Sequence, residues 1–284
     1  MLLYRNNPRK AMPWLLSLIR FGRHIPGLPA LNRLAFRKRL PGLARTVFGI
    51  DFPGTVGLGD GVDINGEFYN DFADFGLGFV EIGPLPLAPE GRHVRGVRHA
   101  IAHLQKFPPK VPILANLAMG KGSSDEPKIK KDFSTAFSLM YDFADVFVIN
   151  TSHQHLSGGA SSLDDISFLS EILDELLSLR LLNDKYKPIL IQIPSFLEPE
   201  SLDRILDYAL ISGIDGIVAQ GAPAVRHIVE YTTGRLPVIA RDENVTPEKA
   251  VELLAAGAEL IELTHELVRS GPGAVRRINE RILL

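Results

Sequence analysis

The sequence predicts an α/β protein: a single (β/α)8 TIM barrel carrying a small, basic, helical N-terminal extension. Three observations predict it. From residue 54 onward, short apolar runs alternate with helix-like patterns, as βαβ units around a parallel sheet require. There are eight such runs, enough to close the sheet on itself. The length of 284 residues and a hydrophobic content of 45% suit one barrel with a full core.

Residues 1–45 form the predicted extension and residues 46–284 the barrel. Within the extension, AMPWLLSLIRFGRHIPGLPALNRLAFRKRL reads as two short helices broken at GLP. Trp14, Leu15, Leu18 and Ile19 share one apolar face; Leu31, Leu34 and Phe36 share another, with Arg37, Lys38 and Arg39 following. TVFGIDFPG then reads as a hairpin that closes the bottom of the barrel. The predicted strands are GTVGLG (54–59), GFVEIG (78–83), VPILANLA (111–118) and DVFVIN (145–150), followed by PILIQI (188–193), DGIVAQ (215–220), LPVIA (236–240) and ELIEL (259–263). Helices fall between them, such as DEPKIKKDFSTAFSLMYDFA and TPEKAVELLAAG. In the latter, Thr246 is the expected N-cap and Pro247 the first helical residue. Glycines in FGLG, ISGIDG and AAGAEL end helices before the next strand. Chemistry is expected at the C-terminal ends of the strands.

The net charge of -2 conceals an asymmetry: residues 1–50 hold ten Lys or Arg and no acid, so the remainder carries 21 basic against 33 acidic residues. The basic segment can pack on the acidic body of its own chain, the reading preferred here, or contact anionic lipid peripherally through residues 1–45. Nucleic acid is not an expected partner, because an acidic body repels phosphate. No apolar run reaches the roughly 18 residues of a membrane span, and no signal pattern opens the chain. A cytoplasmic location is expected, with the inner face of the membrane as the place of any lipid contact. With no cysteine there are no disulfides, cysteine-held metals or iron–sulfur clusters.

Across nearly the whole chain the motifs resemble the dihydroorotate dehydrogenase family, in its membrane-associated, quinone-using class. The resemblance is carried by VGLGDGVDINGEF, FGLGFVEIG, NLAMGKG, ADVFVINTS, KPILIQIPS, IDGIVAQ and LPVIA…AAGAELIEL…GPGAVRRI, and by the basic helical N-terminus. It implies a bound FMN that oxidises dihydroorotate and passes electrons to quinone. Position by position, however, much of what it implies is altered. GVDING keeps Gly61, Asp63 and Gly66 but has Ile64 where the family has a flavin-binding lysine. Pro84 replaces a threonine at the flavin, Ala118 an asparagine and Gln192 a second lysine, while Gly120 and Lys121 match. The segment APEGRHVRGVRHAI is shorter than its family counterpart and lacks the asparagine-rich motif that grips orotate. Asn150, Thr151 and Ser152 match the start of the fourth-strand motif. His153 then stands at the position of the family's base and His155 at that of a substrate-binding asparagine. The sixth-strand asparagine aligns with Gly221. The glycine-rich seventh loop becomes Ala240, Arg241, Asp242 and Glu243, and the eighth loop reads Thr264, His265 and Glu266.

These changes place acids where the family cups a phosphate with backbone N–H groups, and like charges ~4 Å apart repel by about 1 kcal/mol even in water. The expectation is therefore no bound cofactor, or FMN if the family activity is retained. The principal reading is a diverged homologue or pseudoenzyme with a ligand-binding or interaction role, holding an unidentified small molecule at the barrel mouth. The first alternative is an active FMN enzyme with His153 as base. The second is metal-assisted chemistry by His153 and His155 with carboxylates from Asp60, Asp242, Glu243, Glu262 or Glu266. A polar mouth loop with no metal is preferred to that second alternative, because no tight ligand spacing occurs. Asn150 and Lys121 are expected as retained cofactor-site remnants, Glu81 as structural, and RHVRGVRH (92–99) as a solvated helix start.

Overall fold

The computed structural model describes residues 8–36, 42–121, 125–151, 166–195 and 197–284, without the side chains of residues 8–10 and 29. Two helices come first, α1 (Pro8–Gly22) and α2 (Leu28–Phe36), then a hairpin of β1 (Arg45–Val47) and β2 (Ile50–Phe52). The barrel alternates β3 (Val56–Asp63), α3 (Tyr69–Asp74), β4 (Val80–Leu85), α4 (Val97–Lys106), β5 (Ile113–Ala118), α5 (Glu126–Met140), β6 (Val146–Asn150) and α6 (Ile166–Leu181). It continues with β7 (Ile189–Gln192), α7 (Pro199–Ser212), β8 (Gly216–Gln220), α8 (Ala222–Tyr231), β9 (Val238–Asp242), α9 (Pro247–Ala255) and β10 (Leu260–Leu263). Helices α10 (Glu266–Ser270) and α11 (Gly273–Ile282) end the chain. Strands β3 to β10 are parallel neighbours in sequence order, and β10 pairs back onto β3 through Ile261 and Val56, so the predicted closed barrel is the observed one.

Local chemistry explains the elements. The Thr246 side chain accepts a hydrogen bond from the Lys249 backbone N–H and Pro247 opens α9, as the sequence predicts. Gly213 ends α7 with φ 94° and Gly257 follows α9 with φ 103°, left-handed conformations that a side chain resists.

The hairpin does close the barrel floor. Its two-residue turn, Phe48–Gly49, has φ of 56° and 77°, the positive values that a tight hairpin needs. Phenylalanine rarely adopts that conformation, which costs on the order of 1 kcal/mol. Packing accounts for its presence. A Cβ on Gly216 would lie 2.4 Å from the Phe48 ring, so the glycine makes room for it. Val47 and Phe52 join Phe79, Leu114, Val146, Val148, Leu190, Val218, Ile239 and Leu260 in an apolar cluster inside the barrel. The remaining core lies between the strands and the outer helices.

The basic N-terminal helices pack on their own chain, as preferred from the charge pattern. Arg20 pairs with Glu67 at 2.7 Å, Arg23 with Asp71, and Arg33 with Asp74 at 3.3 Å; Arg23 also stacks 4.8 Å above the Phe68 ring. Apolar contacts differ in part from expectation. Leu15 and Ile19 pack on the core, and Ala11 and Met12 are buried, but Trp14 and Leu18 stay 47% and 44% exposed. On α2, Phe36 meets Phe75 edge-on at 6.0 Å, whereas Leu31 and Leu34 face outward. Among the described residues, no helix is long and apolar enough to cross a membrane.

Candidate functional site: the barrel mouth

In a strand, alternate residues face one side, and in this barrel the inward residues nearest the C-terminal ends are polar. Above the apolar cluster stand Glu81 from β4, Asn116 from β5, Asn150 from β6 and Gln192 from β7. Gln220 from β8, Arg241 from β9 and Glu262 from β10 continue the series, and β3 contributes Gly59. That glycine leaves room for an acid: a Cβ there would lie 3.0 Å from Glu262 Cβ and 3.1 Å from its Oε2.

Amides knit one side of this layer together. Asn116 Nδ2 donates to Glu81 Oε1 and to Gln192 Oε1 at 2.7 Å, while its own Oδ1 accepts from Asn150 Nδ2 at 2.9 Å. Asn150 and Gln192 also reach up to Asp60 Oδ2, both at 3.4 Å. Across the mouth, Arg241 Nη1 lies 2.8 Å from Asp60 Oδ1.

Charge buried in this layer must be balanced. Glu81 and Glu262 are fully buried and interact as an acid pair. Burial, then repulsion between the two, holds Glu262 well above the usual carboxylate range, and burial pushes Glu81 up to about 7. The two titrate as a unit. Burial alone would lower the Arg241 pKa, but Asp60, Glu262 and Glu81 outweigh it and keep the guanidinium charged.

Above this layer opens a cleft of about 640 Å³, a size suited to a small organic ligand. Its lining includes Asp60, Pro84, Gln192, Gln220, Arg241 and Asp242 from the strands, Glu243, Thr264 and His265 from the loops, and Met12 from α1. Asp242 is partly offset by Lys249 at 3.7 Å.

The sequence-predicted residues divide accordingly. Asn150, Gln192, Pro84, Asp242 and Glu243 do reach the mouth or its floor. Lys121 does not: it is exposed, its backbone N–H donates to Glu90, and it lines no part of the cleft. Ala118 is buried at the end of β5, and Ile64 is half-buried in the turn after β3. His153 and His155 lie outside the described residues. Asp63 is a structural acid, accepting from the Glu67 and Phe68 backbone N–H groups at 2.8 and 2.7 Å, with burial pushing its pKa up to about 6. Two carboxylates considered as mouth ligands point elsewhere. Glu262 sits below the mouth against Glu81, and Glu266 accepts from Ser270 on its own helix. Among the described residues, no group of three His, Cys, Asp or Glu could hold a metal ion. His99, in the predicted solvated helix start, instead pairs with Glu67 at 2.8 Å.

Sequence reasoning passed over Asn116 and Gln220. The signal was present: a polar residue interrupts the apolar run of seven of the eight barrel strands, in VEIG, ANL, VIN, IQI, VAQ, ARD and IEL.

A closed parallel barrel with an apolar interior and an open, polar cleft at the strand C-termini defines the class: a (β/α)8 TIM barrel. Within that class the chain is similar over most of its length to curated dihydroorotate dehydrogenases. It is 25% identical to the dihydroorotate dehydrogenase (quinone) of Christiangramia forsetii, across 99% of this chain and 96% of the relative. With the same enzyme of Thermosynechococcus vestitus it shares 29% identity across 86% of this chain and 81% of the relative. The fold matches the ligand-free dihydroorotate dehydrogenase of Eimeria tenella with a TM-score of 0.84 and 20% identity, over 98% and 94% of the two chains. No family model matches the chain.

Proposed function

We propose that the protein is a dihydroorotate dehydrogenase-like barrel that has left family-type FMN chemistry and binds another small molecule at its mouth. The observation that carries this reading is the charge of the cleft. Asp60, Asp242 and Glu243 line it against Arg241, and Arg241 is already paired with Asp60. A flavin phosphate needs open backbone N–H groups or free cations. Side chains crowd the seventh loop instead, and Lys121 stands off the cleft. The residues present therefore do not fit FMN, and no redox step is assigned to them.

Acids outnumber cations among the charged residues of the lining, Asp60, Asp242 and Glu243 against Arg241, beside the amides of Gln192 and Gln220, the hydroxyls of Ser195 and Thr264, and His265. They favour a ligand rich in donors, neutral or basic, over a phosphate ester. Full-length similarity to named dihydroorotate dehydrogenases supports the rival reading, an active FMN enzyme with His153 as base. Titration of the purified chain with FMN separates the two. Saturable binding with flavin absorbance at one equivalent supports the rival; absence of binding supports the departure from flavin.

The outward apolar side chains Trp14, Leu18, Phe21, Ile25, Leu31 and Leu34 support peripheral contact of the N-terminal helices with lipid, alongside their basic contacts to the barrel.

A further inference from the structure

The basic segment that leads into α4 is held in place by its own hydrogen bonds. The Glu90 backbone N–H donates to the Val94 carbonyl at 2.7 Å and closes a tight turn. Asn65 clamps the other side: its Nδ2 donates to the His93 carbonyl and its Oδ1 accepts from the Arg95 backbone N–H, both at 2.9 Å. Gly96, with φ 72°, then turns the chain into α4 where a Cβ would lie 2.8 Å from the Pro86 carbonyl oxygen. With its backbone fixed in this way, the segment turns Arg92, His93, Arg95 and Arg98 to water. Glu67 ties it to α1. That one carboxylate serves three basic side chains, Arg20 of α1 at 2.7 Å, Arg95 at 3.4 Å and His99 at 2.8 Å. Arg20 and Arg95 stay 59% and 53% exposed in spite of it. Among the described residues, Arg92 and Arg98 pair with no acid at all. Exposed arginine charge is left over.

Beside this charge runs an apolar stripe. On α1, Trp14, Leu18 and Phe21 recur at i, i+4 and i+7 and are all exposed, so they share one outward face. Arg20, on the same helix, reaches the carboxylate that Arg95 also meets, which puts the basic segment along the flank of α1. We propose that residues 92–98 form an anionic-headgroup contact of the barrel itself, which docks the protein on a lipid surface together with the apolar stripe of α1. The proposal rests on the peripheral lipid contact of the N-terminal helices put forward above. It adds the charge of the surface and a second anchor outside the extension. A bilayer carrying anionic lipid supplies both partners that this face needs: hydrocarbon for Trp14, Leu18 and Phe21, and phosphate for the arginines. A free phosphate meets the arginines only. Two anchors on different elements also fix how the barrel sits on the surface, which a single helix does not.

The test is flotation of the full chain with vesicles of phosphatidylcholine alone and of phosphatidylcholine mixed with phosphatidylglycerol. Wild type is expected to float with the anionic vesicles and to be released as salt is raised. Arg92→Gln, Arg95→Gln and Arg98→Gln combined are expected to weaken that partitioning about a hundredfold, roughly fivefold for each arginine at an anionic surface. Arg92→Lys, Arg95→Lys and Arg98→Lys combined are expected to retain it, since charge is what the surface reads. Equal partitioning of wild type and the glutamine variant overturns the proposal and leaves the lipid contact of the N-terminal helices standing. Wild type that floats with neither vesicle overturns both. Loss of binding in the lysine variant also overturns the proposal, because a charge contact does not require arginine. So does release by inorganic phosphate but not by chloride at the same ionic strength, which would assign the segment to a soluble anion.

Discussion

Arg241 and Asp60 face each other across the barrel mouth, Nη1 to Oδ1 2.8 Å, with the arginine at the end of β9 and the aspartate on β3. The strands are joined through β10, where Glu262 is registered against Arg241 on one side and Gly57 on the other. The pair thus spans the seam at which the barrel closes. Among the described residues, Arg241 is the arginine that lines the mouth, and it is paired with Asp60 there.

Removing that cation leaves the Asp60 carboxylate without its ion-pair partner. Arg241→Ala is expected to lower unfolding free energy by about 3–5 kcal/mol, the usual cost of breaking a buried ion pair. Asp60→Asn is expected to cost less, because Arg241 keeps Glu81 and Glu262 beneath it. Urea unfolding of both variants and the double variant measures the coupling. Additive losses would show that the pair does not interact.

The acid pair makes a pH prediction of definite sign. Both carboxyls have folded-state pKa values above the model carboxylate value of 4.5, Glu81 reaching about 7. The folded state therefore holds protons that the unfolded state has released. Their contribution to stability is fully present below 4.5 and is lost as pH rises through the folded-state values, about 7 for Glu81, with Glu262 also raised well above 4.5. Asp63, raised from 3.8 to about 6, acts with the same sign over an overlapping range. The stability difference between wild type and Glu262→Gln isolates the pair. It is expected to shift against wild type between those limits, and a pH-independent difference would refute the shared burial.

At the opposite end, the hairpin floor rests on Phe52 and on the fit of Phe48 against Gly216. Phe52→Ala is expected to cost about 3–5 kcal/mol, as for other buried aromatics. Gly216→Val places a side chain where the Phe48 ring lies and is expected to be at least as damaging. Thermal melts check both; a Gly216→Val melt matching wild type would mean that the hairpin does not close the floor.

The larger part of the fold was legible locally. The eight strands, the hairpin, the Thr246 cap and the glycine stops are each written in residues close together in the chain. Long-range convergence is what local periodicity does not reveal. Glu81 and Glu262 are 181 positions apart by their numbering, and only closure of β10 on β3 brings them together. For the same reason Asn116 looked like a polar interruption in ANL rather than the hub linking Glu81, Gln192 and Asn150. Lys121 is the converse case: its sequence motif matches, and in the structure it is exposed and outside the lining of the cleft.

Trp14 is the chain's sole tryptophan and 47% exposed, so its fluorescence reports on the N-terminal helices alone. Anionic phospholipid vesicles are expected to shift its emission to shorter wavelength, less so at high salt. An unchanged spectrum, with equal vesicle flotation of full-length chain and a chain lacking residues 1–45, would remove the lipid contact.

The most direct measurement on the central claim is equilibrium binding of FMN to the purified full-length chain, followed by flavin fluorescence quenching and by absorbance after gel filtration. An acidic cleft whose arginine is engaged by Asp60 predicts no saturable binding and no flavin carried through the column. One equivalent of tightly held FMN, released on denaturation, would contradict it.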